Sequence, residues 1–157
     1  MTAMTTVSLR PATDEDRAFI DSLSPRLSGV PRPAWHDLKA MEDFQDRHMT
    51  ASFAPVEGAL TLIACAGDGR RLGYIHLRPG RDGVTDEPCG YISLIATTKE
   101  AEGSGVAARL MAAAEEWARG RGYRLLSLDV FADNRRAVDF YRRGGFKTET
   151  RRMVKPL

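Results

Sequence analysis

The sequence predicts one α+β domain built on a mixed sheet. Three observations carry this prediction. Apolar and polar residues alternate in short runs early and late in the chain, two longer stretches have helical spacing, and a strand–helix–strand unit follows an antiparallel run. The element order reads β-α-α-β-β-β-α-β-α-β, an α+β arrangement. At 157 residues the chain fits a single domain, residues 1–157, able to bury a real core without staples. No repeat, low-complexity run or linker divides it.

Val7 and Leu9 alternate with polar neighbours before Pro11, which predicts a short first strand. Thr13 or Asp14 can cap the helix after it, with Phe19, Ile20 and Leu23 as its apolar side. Three prolines and a glycine make residues 24–33 a loop. A second helix is predicted over 34–52, with Trp35, Leu38, Met41 and Phe44 at helical spacing. Residues 60–66 and 72–77 read as a hairpin closed at Gly67-Asp68-Gly69, and residues 78–88 as a polar connection. In the strand over 91–97, Ile92, Leu94 and Ala96 alternate with Tyr91, Ser93 and Ile95.

The clearest helix covers 105–121. Val106, Leu110, Ala114, Trp117 and Ala118 share one face, Glu115 precedes Arg119 by one turn, and Gly120 and Gly122 stop it. Residues 125–131 form another strand. Asp133 or Asn134 caps a short helix to about residue 143, Gly144-Gly145 ends it, and residues 146–154 return as strand.

Composition excludes several classes. The chain is 43% hydrophobic and 28% charged with net charge +2, as in a globular protein and unlike a disordered one. The pairs Arg135-Arg136, Arg142-Arg143 and Arg151-Arg152 concentrate positive charge late, but solvated helix faces or a small anion account for them, and no nucleic-acid partner is expected. Cys65 and Cys89 lie in strand-like apolar stretches without metal or redox spacing, which predicts buried free thiols in a reducing compartment. Residues 1–10 lack a long apolar run behind a basic region, and nothing has the length of a membrane span; the expectation is a cytoplasmic protein with no membrane partner. His36, His48 and His76 share no metal-ligand spacing, so no metal is expected.

The chemistry concentrates where the strand over 91–97 runs into Glu102-Gly103-Ser104-Gly105-Val106-Ala107 and then the long helix. A helix start leaves four backbone N–H groups without partners and carries about half a positive charge. Glycines let that backbone approach an anion, and a pyrophosphate is a natural occupant. The same two glycines also fit a plain tight turn. Neither nucleotide motif applies, because no Lys-Ser/Thr pair follows and no third glycine stands in dinucleotide-fingerprint position.

Downstream, Leu126-Ser127-Leu128-Asp129-Val130 leads to Asn134, Ala137, Phe140-Tyr141 and Gly145-Phe146. Together with the glycine turn, these residues resemble the GCN5-related N-acetyltransferase (GNAT) superfamily. Its cofactor motif, Arg/Gln-x-x-Gly-x-Gly/Ala, falls on Glu102-x-x-Gly105-x-Ala107. Its second motif, Asn-x-x-Ala-x-x-Phe-Tyr-x-x-x-Gly-Phe after an aliphatic strand, is matched at every named position. The resemblance covers essentially the whole chain. It implies a GNAT-like acyl-CoA N-acyltransferase fold, with a central, mixed, mostly antiparallel sheet of six to seven strands flanked by four helices. One departure is Glu102, where the family has Arg or Gln; Ala108 also stands where a basic residue is frequent. Either the Glu102 carboxylate turns to solvent while its backbone binds, or cofactor affinity falls. Arg109 offers a replacement charge.

The resemblance implies acetyl-CoA as acyl donor, without a metal, and direct attack of a neutral amine on the thioester. Backbone groups around Ile95, Ala96 and Thr97 would hold the pantetheine arm. Glu102, Gly103, Ser104, Gly105, Val106 and Ala107 would bind the pyrophosphate. Asn134 would reach the pantetheine side, although an Asn at a helix start is also an ordinary cap. Tyr141 would give the leaving thiolate a proton or hydrogen bond, a phenol near pKa ~10 facing a thiol near ~8.5; a core aromatic sharing a face with Val138 is the plainer alternative. Asp129, in an otherwise apolar strand, would be the base, with a structural salt bridge, or proton loss through water to Glu87 or Asp86, as alternatives. No His or Asp is placed by the sequence to activate Cys89 as an acyl carrier.

The acceptor would meet residues 22–46 and 78–88, whose mixed charges name no amine class. A small-molecule amine or a protein amino group fits, and a homodimer is compatible. A coenzyme A-binding module without turnover, or an enzyme using a longer acyl-CoA, are the competing readings.

Overall fold

The computed structural model describes residues 6–157, so the first five of the ten N-terminal residues read above lie outside it. Ten elements follow in order: β1 (Ser8–Pro11), α1 (Arg17–Ser22), α2 (Ser24–Ser28), α3 (Leu38–Ser52), β2 (Leu60–Cys65), β3 (Arg71–Arg81), β4 (Pro88–Thr97), α4 (Val106–Gly120), β5 (Leu126–Ser127) and α5 (Arg135–Arg143). The sheet order is β1-β2-β3-β4-β5, antiparallel through β4 and parallel between β4 and β5. The α+β class and the mixed sheet are as expected.

Several boundaries differ. The described residues form five strands and five helices. Residues 24–33, expected as a loop, begin with α2, where Pro25 occupies the first turn that tolerates its missing N–H. The helix expected from residue 34 starts at Leu38, because Asp37 Oδ1 accepts from the Ala40 N–H at 2.7 Å and sets the N-terminus. Its buried face is therefore Met41, Gln45 and Met49, while Trp35, Leu38 and Phe44 are exposed. The hairpin of β2 and β3 forms as read, but β3 and β4 extend through much of the supposed polar connection, leaving only residues 82–87 as the turn.

The late strands are the main correction. The run over 125–131 pairs only at Leu126 and Ser127, and residues 146–154 form no strand. A two-residue β5 offers no ladder on which a further strand could assemble.

Two cores cover the two faces of the sheet. On one, Ala64, Ile75, Leu77 and Ile92 pack against Val106, Leu110, Met111 and Ala114 of α4. On the other, Ile63, Tyr74, Leu94 and Ala96 pack against Ile20 of α1, Leu23 just after it and Met49 of α3. Ile92 and Leu94 thus face opposite cores although they are two residues apart. The cause is a bulge: His76 pairs with Leu94 and Leu77 with Ile92, so Ser93 is the extra residue. The expected strict alternation of Ile92, Leu94 and Ala96 holds for burial and fails for direction.

Candidate active site

β4 and β5 pair at Gly90–Leu126 and Tyr91–Ser127 and then part. Gly90 permits the close approach that precedes the parting, since a Cβ there would lie 2.9 Å from the Trp117 ring and 3.0 Å from Leu126. Beyond Tyr91, β4 pairs only with β3 among the described residues, so the edge carrying Ile95, Ala96 and Thr97 is free on the β5 side. Unpaired strand backbone beside a gap is what an extended, amide-containing arm requires.

The strand then enters the predicted turn. Thr98 Oγ1 accepts from the Ala101 N–H at 3.3 Å, closing a single 3-10 turn at Lys99–Ala101. The Glu102 and Ser104 N–H groups are spent inside this turn, on Lys99 and Ala101 carbonyls. Those of Gly103, Gly105, Val106 and Ala107 have no protein acceptor among the described residues. Gly103 and Gly105 have φ of +72° and +85°, and Gly105 is the N-cap of α4. Nothing lies within 4 Å of a Cβ built at either, so it is the backbone angle and not crowding that asks for glycine. The residues present fit a pyrophosphate: an open glycine backbone, N–H groups without protein acceptors and a 15-residue helix behind them.

Glu102, the residue just before these donors, is paired with two arginines. Its Oε1 is hydrogen-bonded by Arg26 Nη2 and lies 3.5 Å from Arg136 Nη1. The Arg26 guanidinium holds the carboxyl below its ordinary range. Arg109, the other basic candidate, has its Nη2 donating to the Val7 carbonyl at 3.1 Å.

Tyr141 lies on α5 beside Phe140 and Phe146, with ring centroids 5.4 Å and 6.0 Å away. Burial pushes its phenol above the usual value. Tyr141, Phe140 and Phe146 line a cleft of about 310 Å³ with Ala108 and Met111 of α4, one turn beyond the glycine turn. The core-aromatic reading and a place at the cleft both hold. Asn134 Oδ1 accepts from the Ala137 N–H at 3.4 Å, so it caps α5.

Asp129 requires correction. It is neither buried nor in a strand, since β5 has ended at Ser127. Its Oδ2 accepts from the Tyr91 hydroxyl at 2.7 Å across the mouth of the parting strands, where burial and then this carboxylate push the phenol up. Glu87 is engaged by Arg124 and Thr85 at the far end of β4 from the glycine turn, and Asp86 lies in the same loop.

The sequence reading missed what surrounds the bulge. The Ser93 hydroxyl accepts from Arg78 Nε at 3.0 Å, and the Arg78 guanidinium lies 4.7 Å from the Tyr91 ring centroid. His48 Nε2, on α3, is 3.0 Å from the Ser93 carbonyl and its ring stacks on Phe44, which meets Phe131 edge-on. Bulges carry no local residue signature, so only the His48 and Phe44 spacing on one helix hinted at a shared face. His76 is elsewhere, bound to Thr61 Oγ1. Cys65 and Cys89 are buried free thiols. No helix among the described residues is long and apolar enough to cross a membrane.

Comparison with known proteins agrees with this geometry. The family model described as Acetyltransferase (GNAT) family matches residues 25–146. An aminoglycoside N(6')-acetyltransferase type 1 of Stenotrophomonas maltophilia is 36% identical over 109 residues, 68% of this chain and 70% of that protein. N-alpha-acetyltransferase 30 of Schizosaccharomyces pombe is 39% identical over 57 residues, 36% of this chain and 38% of its own length. Among solved structures, a Pyrococcus furiosus protein described as a candidate acetyl transferase aligns over 97% of this chain and 100% of its own, with 26% identity and TM-score 0.78. The parted strands, the glycine turn and the Asn134 to Phe146 motif thus converge with the family match: the chain belongs to the GNAT acetyltransferase family and is an acyltransferase.

Proposed function

We propose that this enzyme transfers the acetyl group of acetyl-CoA to a primary amine of a small molecule by direct attack, with Tyr141 as general acid on the departing thiolate. The parting of β5 from β4, the strand that leads on into an open glycine turn, carries the reading. Backbone groups of Ile95, Ala96 and Thr97 hold the pantetheine arm, and the free N–H groups of Gly103, Gly105, Val106 and Ala107 hold the pyrophosphate. Glu102 and Ser104 act by shaping the turn, and Asn134 by fixing the start of α5. Burial keeps the Tyr141 hydroxyl protonated well above neutral pH, as a proton donor must be.

The amine must shed a proton before it attacks. Asp129 takes it at the mouth of the strands, one carboxylate oxygen held by Tyr91 and the residue open to solvent. The name of the Stenotrophomonas maltophilia relative supports a small-molecule amine.

A thiol-release screen tests the reading: acetyl-CoA and longer acyl-CoAs against aminoglycosides, polyamines, amino acids and N-terminal peptides. Turnover is expected with acetyl-CoA and a small amine. Coenzyme A binding without thiol release on any amine would instead mark a sensing module, and peptide-only turnover would overturn the acceptor class.

A further inference from the structure

Resting on the acetyl-CoA reading, we propose that Glu102 is a built-in counter-anion that holds Arg26 and Arg136 beside the glycine turn, and that both guanidiniums pass to the cofactor's pyrophosphate when it binds. Three elements meet at this point. Arg26 comes from α2, Arg136 from the first turn of α5, and Glu102 directly precedes the turn into α4. Both arginines address the same carboxylate oxygen, Oε1. Neither makes another ion pair among the described residues.

The charge balance makes the exchange favourable. Two guanidiniums against one carboxylate leave a net positive charge next to four free N–H donors and the positive end of a helix. A single carboxylate oxygen cannot satisfy two planar forks, whereas a pyrophosphate presents oxygens on two adjacent anionic groups and accepts bidentate pairs. The bridge is partly exposed, with Glu102 and Arg26 side chains each 32% accessible and Arg136 77%, so its breaking leaves no buried charge behind. Glu102, which departs from the family motif, thereby recruits positive charge from two other elements in place of a motif arginine. Arg109, the first basic residue of α4, instead donates to the Val7 carbonyl just before β1.

Calorimetric titration of coenzyme A and of 3'-dephospho-coenzyme A into the wild-type protein, E102Q, and the R26A/R136A double variant tests this, with the melting temperature of each recorded. The double variant is expected to bind both ligands about tenfold more weakly, a loss of two charge-assisted contacts. E102Q is expected to bind both a few-fold more tightly, because the competing carboxylate is gone. R26K/R136K, which keeps the charge and not the fork, should fall between the double-alanine variant and wild type. An unchanged Kd in the double variant overturns the proposal. So does E102Q weakening binding as much as the arginine losses, which would make Glu102 a mere brace, or an effect seen with coenzyme A and absent with the dephospho form, which would move the arginines to the 3'-phosphate. Those results leave the acetyl-CoA reading intact, whereas wild-type protein that binds neither ligand removes both.

Discussion

Asp16 is the residue on which the first third of the chain turns. Its side chain is wholly buried, accepts from Arg10 at 2.7 and 2.8 Å, from Arg71 Nε at 2.6 Å and from the Thr13 N–H at 2.8 Å. It therefore ties β1, the first helical turn and β3 together, and the Arg10 guanidinium above all holds its carboxyl far below the usual range. A depressed folded pKa contributes stability that is complete above about pH 5 and is lost as pH falls through about 4 and below. Asp16→Asn should cost about 2 kcal/mol at pH 7, less than the ~3–5 of a sealed pair because both arginines reach water. The difference from wild type should shrink on acidification, which a denaturant series from pH 7 to pH 3 measures. Tyr141→Phe has the opposite profile: stability nearly unchanged, kcat lower by about 10²-fold in thiol release. Because burial raises the phenol, the alkaline fall of wild-type kcat should lie above the ordinary tyrosine value.

At the scale of elements, α4 joins stability to binding. Its buried face of Val106, Leu110, Met111, Ala114 and Ala118 anchors the helix to the sheet, and its N-terminus must then hold a left-handed glycine. Gly105→Ala meets no neighbouring atom and pays only the backbone strain of φ +85°. That strain is about 1–2 kcal/mol, a melting temperature lower by about 4 °C in calorimetry, with weaker coenzyme A binding because the N-cap turn shifts. The bulge in β4 is the second device at this scale. One inserted residue, Ser93, turns Leu94 toward the α3 core and leaves Ile92 on the α4 core, so a single strand serves both. It also puts the Ser93 carbonyl before His48 at the point where β4 leaves β5.

At the scale of the whole fold, the five-stranded sheet of the described residues is covered on one face by α4 and on the other by α1 and α3. Each core depends on its few fully buried side chains. Leu110, at zero exposure in the middle of α4, should lose about 3 kcal/mol on truncation to Ala, seen as an earlier urea midpoint with unchanged m value. The fold class, the hairpin and the α4 face were legible because period and turn chemistry are local signals. The last strands were not. Residues 125–131 and 146–154 have strand composition, but a strand needs a neighbour in register, and β5 stops after Ser127.

By itself, then, the amino-acid order determined the α+β class, the glycine turn at the head of α4, and the paired motifs that mark the family, all written in short-range spacing. Tertiary structure alone decided three things: the gap between β4 and β5, the bulge at Ser93, and the fate of the Glu102 carboxylate. The physical reason is the same in each case. A negative charge beside the glycine turn reads as a defect until Arg26, 76 residues away in the chain, and Arg136 are seen on the same oxygen. Likewise, a carboxylate in an apolar run reads as buried until the strand is seen to end before it and Tyr91 to hold it in solvent.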